Sequence, residues 1–220
     1  MPRRPLYPAA IYNCNTIQLI KSLATTALKT RNNYYLHLTM QYNYISSIDY
    51  INSLEFDYIE TYSFQRGIAF EQTLMLLKPE YERLKVRRER RNNLSESEEV
   101  RFSELKGLLR FTQYLINDKG QFHPSCIKVC TFKNNDPEVT RLASILRTEI
   151  VETESWLCAP MYRDAIVFYN KSAEIVSVLN VCLSCNYMET KAFNHVTGDS
   201  KTYDLLKAFF LEIGHDVEID

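Results

Sequence analysis

Apolar positions in this chain recur with two periods, and the switches between them mark its elements. From Ile17 the residues Ile20, Leu23, Ala24, Ala27 and Leu28 return at helical spacing, with Asn15 and Thr16 placed to cap the start. That spacing predicts an amphipathic helix ending near Thr30. After Asn32 and Asn33 the period falls to two: Tyr34, Leu36, Leu38, Met40, Tyr42 and Tyr44 alternate with Tyr35, His37, Thr39, Gln41 and Asn43, as in a half-buried strand. Alternation resumes with Ile48, Tyr50, Leu54, Phe56 and Tyr58 against Asp49, Ser53, Glu55 and Asp57, which predicts a second strand antiparallel to the first. Ile51 and Asn52 blur that pattern, and a helix over part of 48–55 fits as well.

Between Phe64 and Ile116 the period is helical and the composition highly charged. One stripe runs Phe70, Leu74, Leu77, Tyr81, Leu84 and another Phe102, Leu105, Leu109, Thr112, Leu115, giving two helices joined near Arg91 to Leu94. Pro79 lacks an amide hydrogen, so the first helix is expected to end or kink near Lys78. Ser95 with Glu98 has the spacing of a capping box at the start of the second. Residues 117–135 read as irregular, with turns at Asn117 to Gly120 and at Asn134, Asn135, and a short strand over Ile127 to Phe132.

Asp136 then caps a helix with Pro137 at its first position and Val139, Leu142, Leu146 and Ile150 on its buried face. Two β-like runs follow, Ala165 to Tyr169 and Ile175 to Leu183, separated by Asn170, Lys171, Ser172 and Ala173, the pattern of a β-hairpin. Asp199 or Ser200 opens a last helix whose Leu205, Leu206, Phe209, Phe210 and Ile213 face the core, and Gly214 stops it. The order α, β-β, α-α, α, β-β, α predicts an α+β fold: an antiparallel sheet made from two β-hairpins, packed with helices. Residues 1–220 form one domain in this reading, with 64–117 as a helical hairpin able to protrude.

Composition narrows the class. The 220 residues are 45% hydrophobic and 24% charged, and 15 Tyr with 11 Phe supply a large aromatic core, which excludes a disordered or fibrous chain. A net charge of -1 gives no whole-molecule field toward nucleic acid or an anionic membrane. Arg3 and Arg4 begin like a signal peptide, but Asn13, Asn15 and Gln18 interrupt any apolar region after them. No window reaches the ~18 consecutive apolar residues of a membrane helix. A cytoplasmic protein with no membrane partner is therefore expected, and its six cysteines, at 14, 126, 130, 158, 182 and 185, are expected as thiols or metal ligands rather than disulfides.

Chemistry is densest where Cys182 and Cys185 close the second hairpin as a C-x-x-C pair. A redox motif of this kind stands at a helix start, whereas this one ends a strand. As half of a zinc site it needs two more ligands. Cys126 and Cys130, spaced C-x3-C, supply them, with Cys158, His123 and His195 as alternatives. The plainest reading makes Cys182 and Cys185 small buried hydrophobes, which reach one ligand only if the strand turns between them. No other cofactor is indicated.

Lys85, Arg87, Arg88, Arg90 and Arg91 form a basic run that could contact phosphates. They lie at a helix C-terminus facing Glu96, Glu98 and Glu99, so helix electrostatics explain them without nucleic acid. His37, His123, His195 with Asp199, and His215 with Asp216 stand in no catalytic pattern, and G-x-S-x-G, H-E-x-x-H and phosphate-loop motifs are missing. Trp156 reads as a packing residue against the second hairpin.

The stretch from Cys158 through Arg163, Ala165 to Tyr169 and the strand ending Val181, Cys182, Leu183, Ser184, Cys185 resembles the C-terminal segment of uncharacterised Bacteroidetes-type proteins with a β-hairpin ending in C-x-x-C. The resemblance covers residues 158–185 only. It brings no activity and implies that Cys158, Cys182 and Cys185 cluster.

These features together lead to the expectation of a non-catalytic protein-binding module, in the manner of a bacterial immunity or antitoxin protein. Tyr35, Tyr42, Tyr44, Tyr50 and Tyr58 are its candidate contact residues, since tyrosine offers rigid contact area at low entropic cost. Ordinary sheet packing explains the same tyrosines. A zinc-binding or thiol-dependent protein using Cys158, Cys182 and Cys185 is the alternative, nucleic-acid binding through Lys85 to Arg91 stands third, and oligomeric state is open.

Overall fold

The computed structural model describes residues 42–91, 94–110, 112–153, 158–191 and 193–217. The helix expected near 17–30, the strand over 34–41, Tyr35, Cys14 and Trp156 lie outside these residues. The described chain runs β1 (Asn43–Ser46), α1 (Ser47–Asn52), β2 (Tyr58–Ser63), α2 (Ile68–Arg91), α3 (Glu96–Leu108), β3 (Ile127–Lys133), α4 (Pro137–Leu146), β4 (Asp164–Tyr169), β5 (Ile175–Cys182), β6 (Tyr187–Glu189), β7 (Asn194–Thr197) and α5 (Ser200–Glu212). Its seven strands form one sheet in the order β1-β7-β6-β5-β4-β2-β3. The β1–β7 pair is parallel and the others are antiparallel.

The fold is thus α+β, with a mixed sheet in place of the antiparallel sheet expected from two hairpins. The second hairpin, β4–β5, forms as the alternation predicts. The first does not. Ser46 accepts the Asp49 amide at 2.9 Å and donates to its carboxylate at 2.7 Å, a cap that turns 47–52 into helix α1. Over so short a run Ile48, Tyr50 and Ile51 satisfy either period, and the cap decides. β2 then lies between β4 and β3, while β1 pairs with β7 at the far edge of the sheet.

β4 is buried along its whole length, and its alternation divides two cores. Ile166 and Phe168 join the cluster under the helices, with Tyr50 and Ile51 of α1, Leu142 and Leu146 of α4, and Leu206, Phe209 and Phe210 of α5. Ala165, Val167 and Tyr169 face the other way, packing with Tyr62, Phe64, Leu115, Tyr162, Cys182 and Cys185. Loops cover this second face, and a backbone hydrogen bond from Leu115 to the Asn180 side chain (2.8 Å) pins one of them.

Helices α2 and α3 form the predicted hairpin with its own small core of Leu84, Phe102 and Leu105. Tyr81 stacks on Phe102 at 5.3 Å, and the Ser95–Glu98 capping box is present. Of the two outcomes expected at Pro79, an end near Lys78 does not occur: α2 continues through it to Arg91. Pro79 is exposed, so water can serve the Met75 carbonyl that loses its helical donor. The second helix ends earlier than its stripe suggests: Leu115 lies outside α3, fully buried in the sheet's loop-covered core. Helix α4 stops at Leu146, short of Ile150. Helix α5 ends as predicted, with Gly214 at φ +93° and the His215 amide bonded back to the Phe210 carbonyl at 2.9 Å.

Candidate functional site

At the β1 end of the sheet, register and alternation build a continuous row of side chains. Ile45, Val196 and Met188 are opposite one another on β1, β7 and β6 and turn toward the helices. One residue along, Tyr44 pairs with His195, His195 with Glu189, and Glu189 with Asn180, so these four share the loop-covered face. Phe193, at φ 65°, turns the chain into β7 and brings its ring to the same corner.

The corner is aromatic outside and acidic inside. Tyr42 is 46% exposed and Tyr44 70% exposed, their rings stacked at 5.7 Å. Phe193 meets Tyr42 edge-on at 5.1 Å, and His195 lies 5.5 Å from Tyr44 and 4.2 Å from Tyr187. Beneath them Glu189 is buried, accepting hydrogen bonds at Oε2 from Tyr114 (2.7 Å) and Tyr162, while Asn180 donates to its carbonyl (3.1 Å). Burial, reinforced by the Glu189 carboxylate, pushes the Tyr114, Tyr162 and Tyr187 hydroxyls well above the usual tyrosine range. Burial also lowers His195, partly opposed by Glu189, and its Nδ1 has no hydrogen-bond partner. The result is a braced aromatic surface at a sheet edge.

A second polar cluster sits in the interior. His215 Nδ1 donates to Asp164 Oδ1 (2.7 Å), its Nε2 meets Thr61 Oγ1 (3.0 Å), and Arg66 holds Asp164 Oδ2 (2.7 Å). An acid, an imidazole and a hydroxyl in series resemble a catalytic relay. Thr61 is fully buried and Arg66 occupies the second carboxylate oxygen, so the set works as an internal clasp.

Sequence-predicted residues fall in several places. Tyr42 and Tyr44 reach the surface corner. Tyr50 does not: it is buried against Phe168 with its hydroxyl 2.9 Å from Ser177 Oγ. Tyr58 stacks flat on Tyr169 at 4.8 Å, so cross-strand packing accounts for it. The cysteines expected to share an ion are not gathered as a quartet. Cys185 is bonded to Cys158, and Cys130 Sγ faces the Ile213 carbonyl at 3.3 Å. A 3-10 turn over Leu183–Cys185, closed by Asn186 at φ 47°, folds Cys182 and Cys185 into the same buried cluster as Cys126. Among the described residues no group of three His, Cys, Asp or Glu is placed to hold a metal. His123 bridges Gln113 (2.6 Å) and Ser125 (2.9 Å).

Within the basic run, Arg87 pairs with Glu98, and Arg88 pairs with Glu99 at 3.2 Å and lies over the Phe102 ring at 4.9 Å. Lys85 is partly exposed, Arg90 is exposed, and Arg91 closes α2. A shallow groove of about 770 Å³ between α1, α4 and the β4–β5 turn has Ile51, Leu54, Phe56, Val139 and Ala143 in its lining, with Lys171 and Asp57 3.9 Å apart at its rim.

Glu189 and Asp164 were the residues that sequence reading missed. A signal for Glu189 exists in Tyr187, Met188, Glu189, where alternation places the acid on the tyrosine's face. Asp164 offers none beyond being an acid directly before an apolar run. Among the described residues no helix is long and apolar enough to cross a membrane. Comparison with family models, with curated proteins and with solved structures returns no match, so the function has to be argued from this geometry.

Proposed function

We propose that the chain is a non-catalytic protein-binding module, of the kind represented by immunity and antitoxin components, and that it grips its partner at the β1 edge. The observation that carries the reading is the exposure of Tyr42 and Tyr44 on a stack held rigid by Phe193, His195 and Tyr187. Aromatic rings fixed before binding give contact area at little entropic cost and are the commonest anchors of protein interfaces. Among the described residues no strand pairs with the outer side of β1, so an extended partner segment can add to the sheet there while its side chains meet the rings.

The test uses the full chain as bait in its native cells, beside a Tyr42→Ala/Tyr44→Ala variant, followed by titration of the purified recovered protein. A stoichiometric partner whose affinity falls at least about thirtyfold in the variant, the loss expected of a hot spot, supports the reading. A partner held equally by both proteins, or none recovered by either, overturns it.

A further inference from the structure

Glu189 is a buried acid with no cation beside it. Two other carboxylates on the sheet's strands have one: Arg66 holds Asp164 at 2.7 Å, and Lys128 holds Glu60 at 2.9 Å. Glu189, 3% exposed, has only neutral donors, the Tyr114 and Tyr162 hydroxyls, and both go to Oε2. Among the described residues nothing donates to Oε1, and Lys191, two residues along, is exposed and makes no ion pair with the carboxylate.

The surroundings carry the same deficit. A nearby ammonium or guanidinium lowers a tyrosine's pKa, yet burial, Glu189 and the neighbouring tyrosines all act on Tyr114, Tyr162 and Tyr187 in the raising direction. His195, beside Glu189 on β7, does not supply the charge, because burial lowers its pKa, and its buried Nδ1 has no hydrogen-bond partner.

Ring faces complete the set. Tyr42 reaches inward from the surface, its hydroxyl interacting with those of Tyr187 and Tyr114, while the stacked ring of Tyr44 is exposed. A cation within about 6 Å of a tyrosine ring centre is drawn to its negative face. Tyr44, His195 and Glu189 stand opposite one another on successive strands, which puts the Glu189 backbone about 10 Å from that of Tyr44. At that range a buried charge acts through protein on a group held at the rings. A guanidinium suits the corner: it is planar, stacks on aromatic faces with its N–H groups free for hydroxyl oxygens, and gives up water more readily than an ammonium.

We propose that the anchor this corner takes from its partner is an arginine side chain, stacked on Tyr42 and Tyr44 with its charge balanced by Glu189. The inference rests on the reading of the β1 edge as the partner-binding site and adds the chemistry of what binds there.

The probe is a short capped peptide, Thr-Val-Arg-Val-Thr, beside a copy with citrulline, the neutral isostere of arginine, at its centre. Each is titrated into the full chain carrying isotope-labelled tyrosine, and the ring signals are followed by NMR. The expected result is a saturable shift of the Tyr42, Tyr44 and Tyr187 rings, with the arginine peptide bound about tenfold more tightly than the citrulline copy. Glu189→Gln, whose amide oxygen still accepts both tyrosine hydroxyls, brings the arginine peptide down to the citrulline level and leaves the citrulline peptide where it was. Equal binding of the two peptides at these rings overturns the inference and leaves the β1-edge reading standing; that comparison is made in the unmodified chain and needs no variant to fold. A preference for arginine that survives Glu189→Gln also overturns it. One that survives Tyr42→Ala/Tyr44→Ala overturns it together with the β1-edge reading. Binding of neither peptide, as when the corner is covered by the chain's own residues or by a second copy, overturns it as well.

Discussion

Asp164, at the start of β4, and His215, just past the end of α5, meet in the interior with Oδ1 and Nδ1 2.7 Å apart. The contact ties the last described segment to the most buried strand, and Arg66 and Thr61 complete it. Asp164→Ala leaves a guanidinium and an imidazole without their acceptor and is expected to cost about 3–5 kcal/mol. His215→Ala removes one donor from a carboxylate that Arg66 still holds and should cost about 2–3 kcal/mol. Urea denaturation of both variants checks the order; losses below about 1 kcal/mol would mean that the clasp contributes little.

Burial, with the Glu189 carboxylate adding to it, raises the pKa of the tyrosines packed around that acid. Burial first, and then the carboxylate, holds Tyr114 and Tyr162 protonated beyond the ordinary range, and Tyr62 is raised by burial and by Glu60. The folded protein therefore keeps protons that the unfolded chain gives up near pH 10, so stability is intact below that pH and falls as pH rises above it. Absorbance titration of tyrosinate is expected to show a fraction of the 15 tyrosines that ionise only together with alkaline unfolding. Smooth titration of all of them in the folded state would contradict this.

What the sequence disclosed and what it concealed divide along the range of the forces involved. Asp199, Ser95 with Glu98 and Gly214 act within one turn of chain, and each does what its residue type implies. The β4–β5 hairpin is equally local. Strand pairing is not: nothing near Asn43 announces Asn194 as its parallel partner, and β6 and β7, three and four residues long, are too short for alternation alone to identify them as strands. Pro79 does not end α2, because exposure to water limits how much a missing amide costs. The aromatic corner is half legible: Tyr42, Tyr44 and His195 stand out by residue type and Glu189 alternates with Tyr187, but nothing local announces the strand pairing that brings them together.

Cys158 and Cys185, 27 residues apart in sequence, close a loop across the second core. This pairing replaces the thiols expected from a cytoplasmic setting. In the chain-entropy model a loop of that size is worth roughly 3–4 kcal/mol. Peptide mapping without reductant should recover residues 158 and 185 in one cross-linked species, and reduction should lower the melting temperature by several degrees, about 2–4 °C per kcal/mol for a chain of this size. Cys158→Ser and Cys185→Ser should each lose what reduction removes, with Cys182→Ser leaving the cross-link in place. A cross-link between Cys158 and Cys182 instead would refute the assignment.

His123 provides the clearest acid response. Burial lowers its pKa from 6.5 to about 4, so the folded imidazole stays neutral between Gln113 and Ser125 while the unfolded chain takes up a proton below about pH 6.5. The unfolded state then binds more protons, and its contribution to stability is complete above pH 6.5 and declines as pH falls toward 4. The slope is up to about 1.4 kcal/mol per pH unit, a total on the order of 3 kcal/mol. His195, lowered in the same direction, adds to the trend. Urea midpoints of the protein and of His123→Gln from pH 7 to 4.5 isolate the residue: the variant starts less stable and loses less. A proton NMR titration placing the His123 ring near its ordinary value in the folded state would rule the mechanism out, because a histidine that charges freely inside the fold takes up no extra proton on unfolding.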